Sequence, residues 1–266
     1  MDYHDLTFSP LKNSKRTNWS AIRRANASAD VRLRVLVKFD WLDPAWDLRD
    51  LADFLALIQD CPNLDFLLLT KRPELWLERL REVLAFIDSE SELFEFLDAW
   101  IDCIDMPERG DYPTNVWIGS TAEDQRRADE RIPELLKIPA RVRFLSCEPL
   151  LGPVDFSDVD SEISVAMQRN DPKVMGYPAD FIDWVICGGE SGPNARPMHP
   201  DWARSLRDQC QAAGVPFFFK QWGEWASASQ VEGNNPGMPL YDLRFGEFHY
   251  DTEFVESCMC DTGEPP

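Results

Sequence analysis

The sequence predicts an α/β fold, an incomplete parallel (β/α) barrel of about six strands. Three observations lead there. Short apolar runs rich in branched and aromatic residues recur along the chain at the length of buried strands. Stretches with the apolar period of a helix separate them. Each run also stops at a polar or charged residue. Strands alternating with helices imply a parallel sheet, whose strand ends lie on one side. Six strands are too few for a closed eight-fold barrel, and additional N-terminal units would supply the rest.

Residues 1–30 are polar, carry Lys12, Lys15, Arg16, Arg23 and Arg24, and read as an N-terminal arm. Residues 31–225 read as the partial barrel. Its first strand, 33–39, delivers Lys38 and ends at Asp40, and Leu48, Leu51, Phe54, Leu55 and Ile58 then mark one face of an amphipathic helix. The second strand, 65–70, runs directly into Lys71-Arg72-Pro73. Proline fits the first turn of a helix, so the basic pair sits on the turn into a helix over 74–87. An inserted acidic helix follows over 91–104. The third strand is 115–119, with Ser120-Thr121 as the cap of a charged helix over 123–138. The fourth, 142–147, ends in Glu148-Pro149, and 151–180 reads as a long loop with at most one short helix. The fifth, 183–187, breaks into Gly188-Gly189-Glu190-Ser191 before a helix from Pro200 to Gly214. The sixth, 216–220, ends in Gln221-Trp222, and 226–266 is an acidic, Gly- and Pro-rich tail.

The charge sum of 27 basic against 47 acidic residues, −20, speaks for solubility and against non-specific attraction to nucleic acid or anionic membrane. No stretch approaches eighteen consecutive apolar residues, and the first residues lack a signal peptide's basic start and apolar middle, so the sequence predicts a cytoplasmic protein. Seven cysteines at irregular spacings do not form a disulfide framework and are expected to be reduced.

The strand ends collect Lys71, Arg72, Ser120, Glu148, Gly188, Gly189, Glu190, Ser191, Lys220 and Gln221 into a candidate ligand-binding rim. Lys71, Arg72 and Lys220 suit an anion, and Arg196 offers a planar contact to a carboxylate or phosphate. Glu148 and Glu190 suit amines or ribose hydroxyls, and are the candidates for acid and base catalysis. The opposing reading is that the two glutamates neutralise the cations across the rim. Glycines at 188 and 189 admit close approach to the backbone. Trp222 suits stacking on a base or packing against the rim. His199, beside Pro200, reads as a cap or packing residue. With three histidines in the chain, a histidine-rich metal site is not expected, and Cys258 and Cys260 make a weak metal pair.

The segments LTKRPE (69–74), NVWIGSTAEDQRRADERIPELL (115–136), RFLSCEPLLGPVD (143–155), DWVICGGESGPNARPMHPDW (183–202) and RDQCQAAGVPFFFKQWGEW (207–225) together resemble an uncharacterised phage and prophage family described as radical-SAM-like. The resemblance covers about 64–225 and implies a partial barrel of the radical-SAM kind in a phage-infected or lysogenic bacterial cell. Members of that family carry a preceding C-x-x-x-C-x-x-C cluster whose thiolates hold a [4Fe–4S] centre open to S-adenosylmethionine. This chain has no such triplet. The resemblance therefore implies no cofactor bound by this chain alone, with the cluster and S-adenosylmethionine supplied only through a separate chain that completes the barrel. Two functions follow as expectations. One is the substrate-binding part of a phage-encoded modifying enzyme. The other is a non-catalytic acidic protein that binds a host or phage macromolecule, as a nucleic-acid mimic or anti-defence protein. A homo-oligomer is a further expected partner arrangement.

Overall fold

Burial on both faces, rather than alternation, marks the strands over 64–70, 116–121, 142–147 and 184–188. The computed structural model describes residues 6–8, 17–28, 33–37, 39–106, 110–156, 181–227 and 240–241. They fall into two compact units, one built from 1–120, 133–143 and 176–180, the other from 121–132, 144–175 and 181–266.

In the first unit β1 (Leu6–Phe8), β2 (Leu33–Val37), β3 (Leu64–Thr70) and β4 (Val116–Thr121) lie side by side in chain order. All are parallel, with Leu6 opposite Val35, Val35 opposite Phe66 and Phe66 opposite Val116. β4 is buried at every position and β3 at all but one, the pattern of parallel strands covered on both faces. The helices are α1 (Thr17–Ser28), α2 (Leu48–Asp60), α3 (Trp76–Phe86) and α4 (Glu92–Asp102). On α2, Leu51, Phe54, Leu55 and Ile58 are buried as their spacing requires, and Asp47 caps the helix by accepting from Arg49 N at 2.8 Å. Asn115 donates to the carbonyls of Ile58 and Cys61 at 3.0 and 3.2 Å, which satisfies the open end of α2 and ties it to the start of β4. Pro73 opens a single 3₁₀ turn (Pro73–Leu75) before α3.

The second unit holds β5 (Val142–Cys147) from Phe144 onward, β6 (Trp184–Gly188) and β7 (Phe217–Gln221), again parallel and consecutive. Phe144 faces Trp184, and Val185 faces Phe217. Between Cys187 and Gly188 the register shifts: Cys187 stands opposite Phe219 but Gly188 opposite Gln221, so Lys220 is an extra residue on β7. The helices are α5 (Gln125–Leu136), whose first two turns lie in this unit, and α6 (Pro200–Ala213). His199 caps α6, its Nδ1 accepting from Asp201 N at 3.2 Å, and Gly214 ends it at φ 70°.

All six expected strands are present, and the chain is α/β with parallel strands. Three expectations shift. The stretch read as an arm contributes β1 and α1; three residues of strand are too few to show a period. Ser120 and Thr121 do not cap α5 but extend β4, because Ser120 continues the ladder opposite Thr70; the cap is Asp124, accepting from Arg127 N at 2.9 Å. The tail begins with a two-residue strand β8 (Ala226–Ser227) paired with β9 (Leu240–Tyr241). The loop residues 157–180, Lys38, Cys258 and Cys260 lie outside the described residues. The five described cysteines are buried thiols, none in a disulfide, as their spacing suggested. Among the described residues no helix is long and apolar enough to cross a membrane.

Candidate functional site

The strand ends of the second unit meet at Glu148, the residue that follows β5. Its carboxylate is mostly enclosed, with 17% of the side chain exposed. Lys220 Nζ donates to one oxygen at 3.0 Å and Gln221 Nε2 to the other at 3.1 Å. Gln221 Nε2 also reaches Ser191 Oγ at 3.0 Å. Neighbours on a regular strand point to opposite faces. The extra residue in β7 breaks that alternation, so Lys220 and Gln221 both reach one carboxylate. The backbone beneath is pinned twice, Leu150 N donating to Gly188 O at 2.9 Å and Leu151 N to Glu123 O at 2.7 Å. Three consecutive parallel strands thus deliver Glu148, Ser191, Lys220 and Gln221 to one place.

The glycines there serve this packing. A Cβ on Gly188 would stand 3.1 Å from Glu148 Oε1, and one on Gly189 would stand 1.8 Å from the carbonyl oxygen of Trp222. The close approach that Gly188-Gly189 permits is therefore made by the protein's own chain. Gly189 N donates to Gln221 O at 2.9 Å and Glu224 N to Glu190 O at 2.8 Å, which locks the two turns together. Trp222 packs edge-on to Phe219, ring centroids 4.8 Å apart. Trp225 donates its indole N–H to Ala195 O at 2.6 Å.

Glu190 and Arg196 engage each other. Arg196 donates through Nε and Nη2 to the two carboxylate oxygens, both at 2.8 Å, and through its backbone N at 2.7 Å. The guanidinium, and secondarily the backbone N–H, hold the Glu190 carboxyl down at about 2. The charge neutralisation anticipated for the glutamates thus closes within one turn for Glu190 and crosses between strands for Glu148.

In the first unit, Arg72 donates to Asp40 at 2.6 Å and lies 3.4 Å from Asp43. Asp40 also accepts from Thr70 Oγ1 at 2.6 Å, Leu42 N at 3.2 Å and Lys71 N at 3.1 Å. Ser120 is fully buried and donates to Thr70 O at 3.2 Å, an internal use of its hydroxyl.

Two arrangements escaped the sequence reading. In the second unit Arg131 Nη1 meets Thr121 Oγ1 and Glu123 Oε2, both at 2.6 Å, with both charged side chains nearly buried. Glu123 precedes the helix that carries Arg131, so no helical spacing links them. In the first unit Arg143 is wholly buried inside a run that reads as plain strand, its guanidinium donating to the carbonyls of Ala140 and Ile138. Only the single charge in VRFLSC hinted at it.

A family profile described as "Protein of unknown function (DUF5131)" matches residues 4–248. No curated protein and no solved structure matches the chain.

Proposed function

The chain belongs to this family of unknown function, and from that premise we propose that it is the substrate-binding part of a modifying enzyme, a radical-SAM-like partial barrel whose ligand sits at the strand ends of the second unit. One observation carries the reading: Glu148, Lys220, Gln221 and Ser191 converge from three parallel strands, and ligands in such folds bind beyond the carboxyl ends of strands. Lys220 spends one of its three donors on Glu148 among the described residues and is about half exposed. Its remaining donors suit an anionic group, while the lone pairs left on Glu148 suit a hydroxyl or amine beside it. A nucleotide, with a phosphate and a ribose diol, presents both.

The described residues do not fit an iron–sulfur cluster. No group of three potential ligands gathers among them, and burial holds the Cys147 thiol well above its ordinary range and pushes Cys210 up to about 12, against the thiolate that iron needs. As the resemblance implies, a cluster and S-adenosylmethionine come with a separate chain in this proposal. In it Glu148 binds and orients, and no reaction step is assigned to it.

The test is calorimetric titration of the full chain with adenosine monophosphate and with inorganic phosphate. Binding of the nucleotide, weakened about tenfold by Lys220→Ala and by Glu148→Gln with the fold retained, supports the site. Equal binding by both variants, or no binding by the parent, overturns it. The second reading, an acidic phage protein that binds a macromolecule in a bacterial cytoplasm, draws support from the net charge of −20 and from the surface of α4.

A further inference from the structure

Residues 87–106 contain seven acidic side chains and no basic one. α4 occupies most of this stretch, and its rotation is fixed from inside. Leu97 and Trp100 are buried, Trp100 Nε1 donates to Pro139 O at 2.6 Å, and its ring lies parallel to Trp41 and edge-on to Trp76. With that side held in the core, Glu92, Glu95, Asp98 and Asp102 are all exposed. Steps of three, three and four residues put them in one stripe along the outer face, and Asp105 continues it beyond the helix. At 1.5 Å per residue the five carboxylates span roughly 20 Å.

None of these carboxylates has an ion-pair partner among the described residues. Elsewhere the chain neutralises its helices: Arg126 and Arg127 pair with Glu130 on α5, and Arg204 with Asp201 on α6. Like charges three and four residues apart oppose the helix that carries them, so the stripe works against α4 rather than for it.

Exposed apolar side chains flank α4 along the chain. Of the four large hydrophobic residues exposed among the described residues, Phe86 ends α3 just before α4, and Ile104 and Met106 follow it. The helix is an addition to the connection between β3 and β4. α3 already completes the crossover between β3 and β4, for which one helix suffices.

We propose that the outer face of α4 is a docking surface for a lysine- and arginine-rich segment of a partner polypeptide with large apolar residues near its ends. Charge complementarity selects this occupant. Nucleic acid and anionic lipid are repelled by the stripe. A small cation would leave the apolar ends uncovered, and a neutral apolar partner would desolvate the carboxylates without pairing them. The inference deepens the macromolecule-binding reading and stands apart from the strand-end site, none of whose residues lies on α4.

The probe is a synthetic sixteen-residue peptide with lysines at alternating steps of three and four and a leucine near each end, titrated into the full chain. The expected result is saturable 1:1 binding that weakens at least tenfold as salt rises from about 50 to 300 mM. Glu95→Gln with Asp98→Lys and Asp102→Lys should abolish it. These residues are exposed, and lysine near a helix C-terminus favours the helix, so circular dichroism should be unchanged. Phe86→Ser with Met106→Ser should weaken binding several-fold, while Lys220→Ala should leave it as it was. The proposal falls if the charge-reversed chain binds the peptide as tightly as the parent, or if a peptide without leucines binds equally well. It also falls if sedimentation shows that the face is covered by a second copy.

Discussion

Asp40 and Glu148 are both carboxylates placed just beyond parallel strands, yet the protein's own donors satisfy them to different degrees. Asp40 accepts four hydrogen bonds, two from backbone N–H groups of its own unit, and its cationic partner Arg72 is shared with a second carboxylate. A carboxylate has about four acceptor positions, so Asp40 is saturated and acts as a structural hub. Glu148 accepts two hydrogen bonds among the described residues, both from side chains. What separates a hub from a site is the capacity left over after the protein has satisfied itself, and sequence shows only that a charge ends a strand.

The comparison can be broken by substitution, from the largest effect downward. Gly189→Ala forces a Cβ against the Trp222 carbonyl and should cost roughly 3 kcal/mol in urea unfolding, removing nucleotide binding with it. Asp40→Ala orphans the Thr70 hydroxyl, two backbone donors and Arg72, and should cost about 2 kcal/mol. Glu148→Gln should change stability by less than about 1 kcal/mol, since its partner Lys220 stays in contact with water. Should Glu148→Gln prove as destabilising as Asp40→Ala, the distinction between hub and site would disappear. The smallest effect is electrostatic. Glu190 has its folded pKa lowered from 4.5 to about 2, so the stability it contributes is present above 4.5 and is lost as pH falls towards 2. Arg196→Ala should lower the melting temperature slightly at pH 7, and its difference from the parent should vanish as pH falls through that acid window.

Elements buried on both faces were legible because their composition admits little else: the run VRFLSC is β5 to the residue. So were the helix with Pro200 at its start and Gly214 at its end, since both residues have backbone reasons to be there. The polar strand ends were legible as a set, but their pairing was not. Nothing local distinguishes Arg196, closed onto Glu190 six residues earlier, from Lys220, which reaches Glu148 across 72 residues of chain. Arg143 was missed for a related reason: its buried guanidinium is met by the carbonyls of Ile138 and Ala140, and those lie in the preceding loop.

The extra residue on β7 means that the clamp on Glu148 is set by chain length as much as by residue type. Deleting Phe219 would restore regular alternation and turn a donor away, even with the lysine and the glutamine both still present in the segment. Swapping their identities, by contrast, keeps two donors aimed at one acceptor. A one-residue deletion should therefore do more harm here than a two-residue exchange, and counting amino acids in this loop is a better guide to its competence than naming them.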